Sequence, residues 1–317
     1  MSPTTPGIHH VTAIVGDPDT NADFYVGTLG LRMVKRTVNH DDTGTYHFYF
    51  GDGEGTPGTN ITFFPWGGAG RDGEFGAGQT QTTAYLIPEG SVDYWADRLD
   101  SEGVDYERTD RFDETVLGFT DPDGIGLELV AADAPSDAVP WADSPVPERH
   151  QLRGFHSVTL AVADYEPTAE ILTDVLGFEL ETEEDGRRRY RSGPGGPGSV
   201  VDLVETDRGR GRMGVGTVHH VAFEAADVEE QREWREAYAA AGLQPSQVID
   251  RTYFHSIYAR EPGGVLFEMA TPEPGFTADE DPADLGSALT LPERLEPQRG
   301  QIESKLPAFD GPPVGGD

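Results

Sequence analysis

Gly7-Ile8-His9-His10-Val11 and Thr217-Val218-His219-His220-Val221 read as one strand written twice. A third stretch, Gly263-Gly264-Val265-Leu266-Phe267-Glu268-Met269, reads as a buried strand with a carboxylate where an apolar residue would cost less. Two imidazoles and one carboxylate on strands suggest a metal held on one face. A non-haem Fe(II) oxygenase uses that donor set, with positions left open for substrate and dioxygen.

Working outward, the opening strand recurs at 7–16, 80–88, 154–163 and 217–226. A helix-like stretch follows each copy. Asp17-Pro18, Ser91, Asp164 and Asp227 supply candidate N-caps, and Gly30, Gly103, Gly177 and Gly242 stand near the helix ends. Each unit then runs through short β-like, glycine-rich stretches to a last strand, at 60–64, 125–130, 200–204 and 265–270. The pattern is βαβββ, four times. The expected class is α+β, with four modules forming two cup-shaped half-barrel domains. Residues 7–131 hold two modules (7–66 and 80–131), and 132–151 form a linker. Residues 152–272 hold two more (152–205 and 214–272), and 273–317 form an irregular acidic tail.

Side chains alternate between faces along a strand. Val11, Ala13 and Val15 share a face with His9, and Thr12 shares one with His10. Val221 and Phe223 go with His219, whereas Ala222 and Glu224 go with His220. The apolar face belongs to the core, so His10 and His220 are expected to line a cavity, and His9 and His219 to lie behind the strands. Val265, Phe267 and Met269 put Glu268 on the cavity side too. At matching positions the first strands carry His10, Thr82 or Thr83, Ser157 and His220, and the last strands Thr62, Glu128, Asp202 and Glu268. Only a cup made of modules one and four offers two histidines and a carboxylate. Modules one and four are therefore predicted to share the metal site, with His10, His220 and Glu268 as ligands. Glu128 and Asp202 fall in a half expected to bind nothing. His40, His47 and His150 are read as surface or loop residues.

The Gly7–Thr12 stretch, together with the run Arg251-Thr-Tyr-Phe-His255-Ser-Ile-Tyr258-Ala-Arg-Glu-Pro-Gly-Gly-Val-Leu-Phe-Glu268, resembles the hydroquinone-type ring-cleaving dioxygenases. These belong to the vicinal oxygen chelate (glyoxalase/bleomycin resistance/dioxygenase) superfamily. The likeness spans residue 7 to about residue 275. It implies βαβββ modules, an Fe(II) centre and the same three ligands. It also marks His9, Thr12, His219, Arg251 and Tyr258 as groups around the metal or substrate. On chemical grounds His255 or Tyr258 would move a proton, and Arg251 or Tyr258 would stabilise a phenolate. The expected partners are a small aromatic substrate and O2, with a homo-oligomer left open. Mn(II) suits the same triad, and Zn(II) or Ni(II) are candidate adventitious metals. Two competing readings are a glyoxalase-like isomerase or lyase, and a non-catalytic module that binds an aromatic compound or drug. Thr62 in the fourth-ligand position argues against the first.

The bulk composition narrows the setting. Hydrophobic residues make up 36% of 317, and no apolar run approaches a membrane span. The N-terminus lacks the basic and apolar parts of a signal peptide, so a cytoplasmic protein is expected. There is no cysteine, which removes disulfides and thiolates. The net charge is −34, and lysine occurs only at Lys35 and Lys305. Nucleic acid and anionic membranes are unsuitable partners for such a chain. Its self-repulsion fades as the screening length falls to roughly 3 Å at molar salt. A halophilic protein of a salt-filled cytoplasm is expected. Its thermal midpoint should therefore rise from low to molar KCl; a midpoint highest at low salt would refute this.

Overall fold

The computed structural model describes residues 4–193 and 195–312. Each module is laid down in chain order. Module one comprises β1 (Ile8–Val15), α1 (Pro18–Ala22), β2 (Arg32–Val38), β3 (Tyr46–Gly51) and β4 (Asn60–Pro65). Module two comprises β5 (Gln79–Ile87), α2 (Val92–Ser101), β6 (Tyr106–Arg111), β7 (Glu114–Thr120) and β8 (Gly126–Ala131). Module three comprises β9 (Phe155–Val162), α3 (Tyr165–Glu170), β10 (Phe178–Glu184), β11 (Arg187–Ser192) and β12 (Val200–Glu205). Module four comprises β13 (Thr217–Glu224), α4 (Val228–Ala240), β14 (Ile249–Asp250), β15 (His255–Arg260) and β16 (Leu266–Ala270).

Local chemistry starts and stops these helices. The Asp17 carboxylate accepts from Thr20 N, Asp164 from Glu166 N, and Asp227 from both Glu229 N and Glu230 N. Ser91 differs from its expected role. Its hydroxyl caps nothing and instead pairs with His150 Nδ1 at 2.9 Å. Helices α1 and α3 each run on into a π-helical turn, at Asp23–Thr28 and Ile171–Val175. Gly30 then takes φ +72, a left-handed conformation that a Cβ would strain.

Two eight-stranded sheets result, both curled into cups. One runs β14-β15-β16-β13-β1-β4-β3-β2 and the other β10-β11-β12-β9-β5-β8-β7-β6. The first cup therefore combines modules one and four, and the second combines two and three. The connections explain the exchange. The segment after β4 pairs with the one after β12, through the bridges Asp72 to Val215, Glu74 to Arg212 and Ala77 to Arg210. The chain crosses from cup to cup at that point and crosses back beside itself. Apolar faces of both sheets close over the helices, with Trp95, Trp234, Phe48 and Phe155 fully buried.

Antiparallel pairs join the halves of each cup, and both pairs are bulged. Between β1 and β13, Ile8 pairs with Phe223 but His10 pairs with Ala222, so His9 is an extra residue. Thr12 pairs with His220 but Ala13 pairs with Val218, so His219 is extra as well. Between β5 and β9 the extra residues are Gln81 and His156. The same register makes Thr82, and not Thr83, the counterpart of His10.

Beyond β16 the chain is irregular but packed. Phe276, Leu285, Leu291 and Ile302 are buried, the last within α5 (Arg299–Glu303). Lys35 anchors this segment. Its ammonium, fully buried, bonds Asp279 Oδ1 at 2.7 Å, Phe276 O at 3.1 Å and the Glu280 carboxylate.

In the second cup the two matched carboxylates hold arginines. Arg189 grips Asp202 with Nε at 2.9 Å and Nη2 at 3.1 Å, and Arg187 adds a contact at 3.3 Å. Arg111 spans both oxygens of Glu128. Breaking such a buried pair from one side strands a charge and costs about 3 kcal/mol or more, whereas replacing both partners is often neutral. Arg189→Met should thus lower unfolding free energy by about 3 kcal/mol in urea melts, and adding Asp202→Leu should recover most of it.

Candidate metal centre

The pairing of β1 with β13, and of β13 with β16, brings three distant side chains to one point. His10 Nε2 and His220 Nε2 lie 3.2 Å apart. Glu268 Oε2 lies 2.8 Å from the second and 3.5 Å from the first. All three donor atoms fall within 4.8 Å of one another, and all three residues are buried. Ser256, on β15, donates to Glu268 Oε1 and orients the carboxylate. Oε2 faces the other two donors and is left without a hydrogen bond of good geometry among the described residues.

The bulges supply the outer support. His9 Nδ1 is 2.9 Å from His10 Nδ1, and His219 Nδ1 is 2.7 Å from His220 Nδ1. For Nε2 to offer a lone pair to the centre, Nδ1 must carry the proton. His10 and His220 then donate to the histidine before them, which fixes tautomer and ring orientation. Burial, and then the neighbouring imidazole, lowers both outer histidines to about 3. They are neutral acceptors at pH 7. Burial also lowers His220. Burial opposes charge on Glu268, but His10 and His220 outweigh it and hold the carboxyl well below its usual range. Two imidazole lone pairs and an ionised carboxylate aimed at one point form a donor set for a divalent cation.

A cavity of about 270 Å³ opens on this centre. Tyr49, Phe64 and Phe254 give it aromatic walls, and Arg251, Tyr258 and His40 give it polar ones. Arg251 Nε donates to the Tyr258 hydroxyl at 3.3 Å, and its Nη1 reaches Asp41 Oδ2 at 3.0 Å. Burial works against the Arg251 charge, but Tyr258 and Asp41 raise its pKa above the usual arginine value. Burial pushes the Tyr258 phenol up, so it stays protonated. The turn that positions Arg251 holds Thr252 at φ +77, which costs a β-branched residue about 1–3 kcal/mol.

Several expectations change here. His219 does not lie behind its strand; it lines the cavity with His220, because the bulge breaks the two-residue alternation. His9 is buried beside Phe254 and lies outside that lining. His255 lies outside the cavity lining. Ser256 and Tyr258 face the centre, so alternation turns His255 away, with Nδ1 buried and without a partner among the described residues. Thr12 is wholly buried, and its hydroxyl meets that of Thr62 at 2.7 Å.

Other contributors were legible only in part. His47 is no surface residue. It lines the cavity, with Nε2 2.9 Å from Thr62 Oγ1 and Nδ1 3.0 Å from the Tyr49 hydroxyl. The alternation of Tyr46, Phe48 and Phe50 toward the core could have revealed it. His40 and Asp41, from the β2–β3 turn, carried no such signal. Thr62 occupies the position matching Glu268 and bonds to Thr12 and His47, and among the described residues that side of the centre has no fourth protein ligand.

Residues 7–129 and 154–269 match the profile of the Glyoxalase/Bleomycin resistance protein/Dioxygenase superfamily. The chain is 46% identical over 310 residues to the protein named putative ring-cleaving dioxygenase MhqO of Bacillus subtilis, covering 98% of each. It is 37% identical to a chlorohydroquinone/hydroquinone 1,2-dioxygenase of Sphingobium indicum, covering 93% of this chain and 94% of that one. A crystal structure of a putative dioxygenase from Bacillus subtilis superposes with a TM-score of 0.93 at 46% identity, over 97% of this chain and 98% of that one. Glyoxalase I of Zea mays shares the fold alone, with a TM-score of 0.62 at 17% identity, over 86% of this chain and 93% of that one. Matched through both cups and over nearly its whole length, the chain belongs to the Glyoxalase/Bleomycin resistance protein/Dioxygenase superfamily.

Proposed function

We propose that the protein is an Fe(II)-dependent, extradiol-type dioxygenase that opens the ring of a hydroquinone or a related phenol with O2. The observation that carries this reading is the convergence of His10, His220 and Glu268 on a small cavity with aromatic walls. The names of its relatives, one a hydroquinone 1,2-dioxygenase, support the substrate class. Fe(II), when bound by the triad, supplies the electron transfer that lets triplet dioxygen react with a closed-shell ring. Mn(II) fits the same donors, and Zn(II) or Ni(II) would be adventitious.

The remaining work falls to the chain's own groups. Tyr49, Phe64 and Phe254 hold a flat ring and keep water out. Arg251 offers a fixed positive charge to a phenolate. Tyr258, protonated and bonded to Arg251, holds a proton at its hydroxyl that it can donate to an oxyanion. The Asp41–Arg251 ion pair ties the β2–β3 turn to the β14–β15 turn across the cavity. Thr62, without a carboxylate, speaks against a four-ligand isomerase. The charge of −34 supports a salt-rich cytoplasm as the working medium.

Two measurements test this assignment. Iron content should be close to stoichiometric in the Fe(II)-reconstituted protein and near zero in His10→Ala, His220→Ala and Glu268→Ala; full turnover by His220→Ala would contradict the ligand set. The anaerobically Fe(II)-loaded protein should consume dioxygen when given hydroquinone in an oxygen electrode. Tight binding of the phenol with no uptake would turn the assignment toward a non-catalytic aromatic-binding module.

A further inference from the structure

Among the polar side chains of the cavity that the proposed chemistry does not use, His40 stands out. His40 stands on the turn between β2 and β3 and forms part of the cavity wall. Both of its ring nitrogens are shielded from water, and neither has a hydrogen-bond partner among the described residues. The other imidazoles of that wall are engaged: His10 with His9, His219 with His220, and His47 with Thr62 and Tyr49. Shielding a polar atom from water without giving it a partner is unfavourable, and His40 has two such atoms.

The turn itself is well ordered by bonding. Asn39 N reaches Thr45 O at 2.9 Å, Thr45 N reaches Asp42 O at 3.0 Å, and Asp41 N reaches Asn39 Oδ1 at 2.9 Å. Asp41 is tied in turn to Arg251. The backbone thus holds the His40 ring at the cavity wall. Burial, followed by Arg294 and Arg251, lowers its pKa to about 4. The ring is neutral at pH 7, with one nitrogen that donates and one that accepts.

We propose that His40 determines substrate specificity by hydrogen-bonding the second hydroxyl of a hydroquinone whose first hydroxyl faces His10, His220 and Glu268. This rests on the dioxygenase reading above. A hydroxyl both donates and accepts, which matches a neutral imidazole, and the cavity has room for a single substituted ring. A site that provides a buried polar group for a hydroxyl discriminates against the analogue lacking it, because the group is then left unpaired.

Calorimetric titration of anaerobic, Fe(II)-loaded protein with hydroquinone and with 4-methylphenol tests this, beside dioxygen uptake on hydroquinone. The wild type should bind hydroquinone about tenfold or more tighter than 4-methylphenol, the worth of one good hydrogen bond. His40→Leu should bring the two affinities together, and His40→Gln, which keeps a donor and an acceptor, should restore most of the preference. A preference unchanged in His40→Leu, or absent from the wild type, overturns the proposal. Uptake with an unchanged preference removes His40 and leaves the dioxygenase reading standing. A preference lost in His40→Leu without any uptake does the reverse.

Discussion

The antiparallel pairing of β1 with β13 is the constraint on which the rest depends. Their Cα register sets Thr12 opposite His220 and His10 opposite Ala222, while β16 lies parallel to β13 with Glu268 opposite Ala222. Three side chains from the two ends of the chain thereby reach one point. The pairing is enforced from outside, by two crossovers that run beside each other and bridge at Asp72, Glu74 and Ala77. It is refined from inside by two bulges. Each adds a histidine next to a ligand histidine and turns both imidazoles to one side, so that they bond through Nδ1.

The second cup shows what the same backbone does with different side chains. It has bulges at the matching places, and carboxylates at two of the matching positions. Thr82 and Ser157 stand where the first cup has His10 and His220, so no imidazole faces Glu128 or Asp202 from those two positions. Glu128 and Asp202 instead hold Arg111 and Arg189, and His156 turns to Glu114 at 2.9 Å. The charges are satisfied within the cup, at bidentate geometry. One cup keeps its lone pairs directed at an open point, and the other ties Glu128, Asp202 and Glu114 into ion pairs with Arg111, Arg187 and Arg189.

Proton placement follows from burial in the first cup. The histidines around the ligands are neutral because the site is dry, and Tyr258 keeps its proton beside Arg251. Those states let the ligands donate lone pairs while the cavity retains the Arg251 charge and the protonated Tyr258 phenol. The strained turn at Thr252 and the Asp41–Arg251 pair hold that charge in place.

The repeat, the α+β class and the side of the strand taken by His10, His220 and Glu268 were legible in the sequence, because strand alternation and helix capping are local and depend only on neighbouring residues. The same rule would have found His47 when applied to Tyr46, Phe48 and Phe50, and would have turned His255 away when applied to Ile257 and Ala259. It failed at His219 because a bulge is a property of two strands together: the extra residue exists only relative to the partner's register. Ser91 lost its cap to His150, a residue 59 positions away. His40 and Asp41 lie on an irregular turn, where no period assigns a side chain to a face. What the sequence determined by itself is therefore which groups could bind a metal. Which of them meet, and what surrounds them, was decided by strand pairing, since contacts between distant segments are set by the packing of the whole chain.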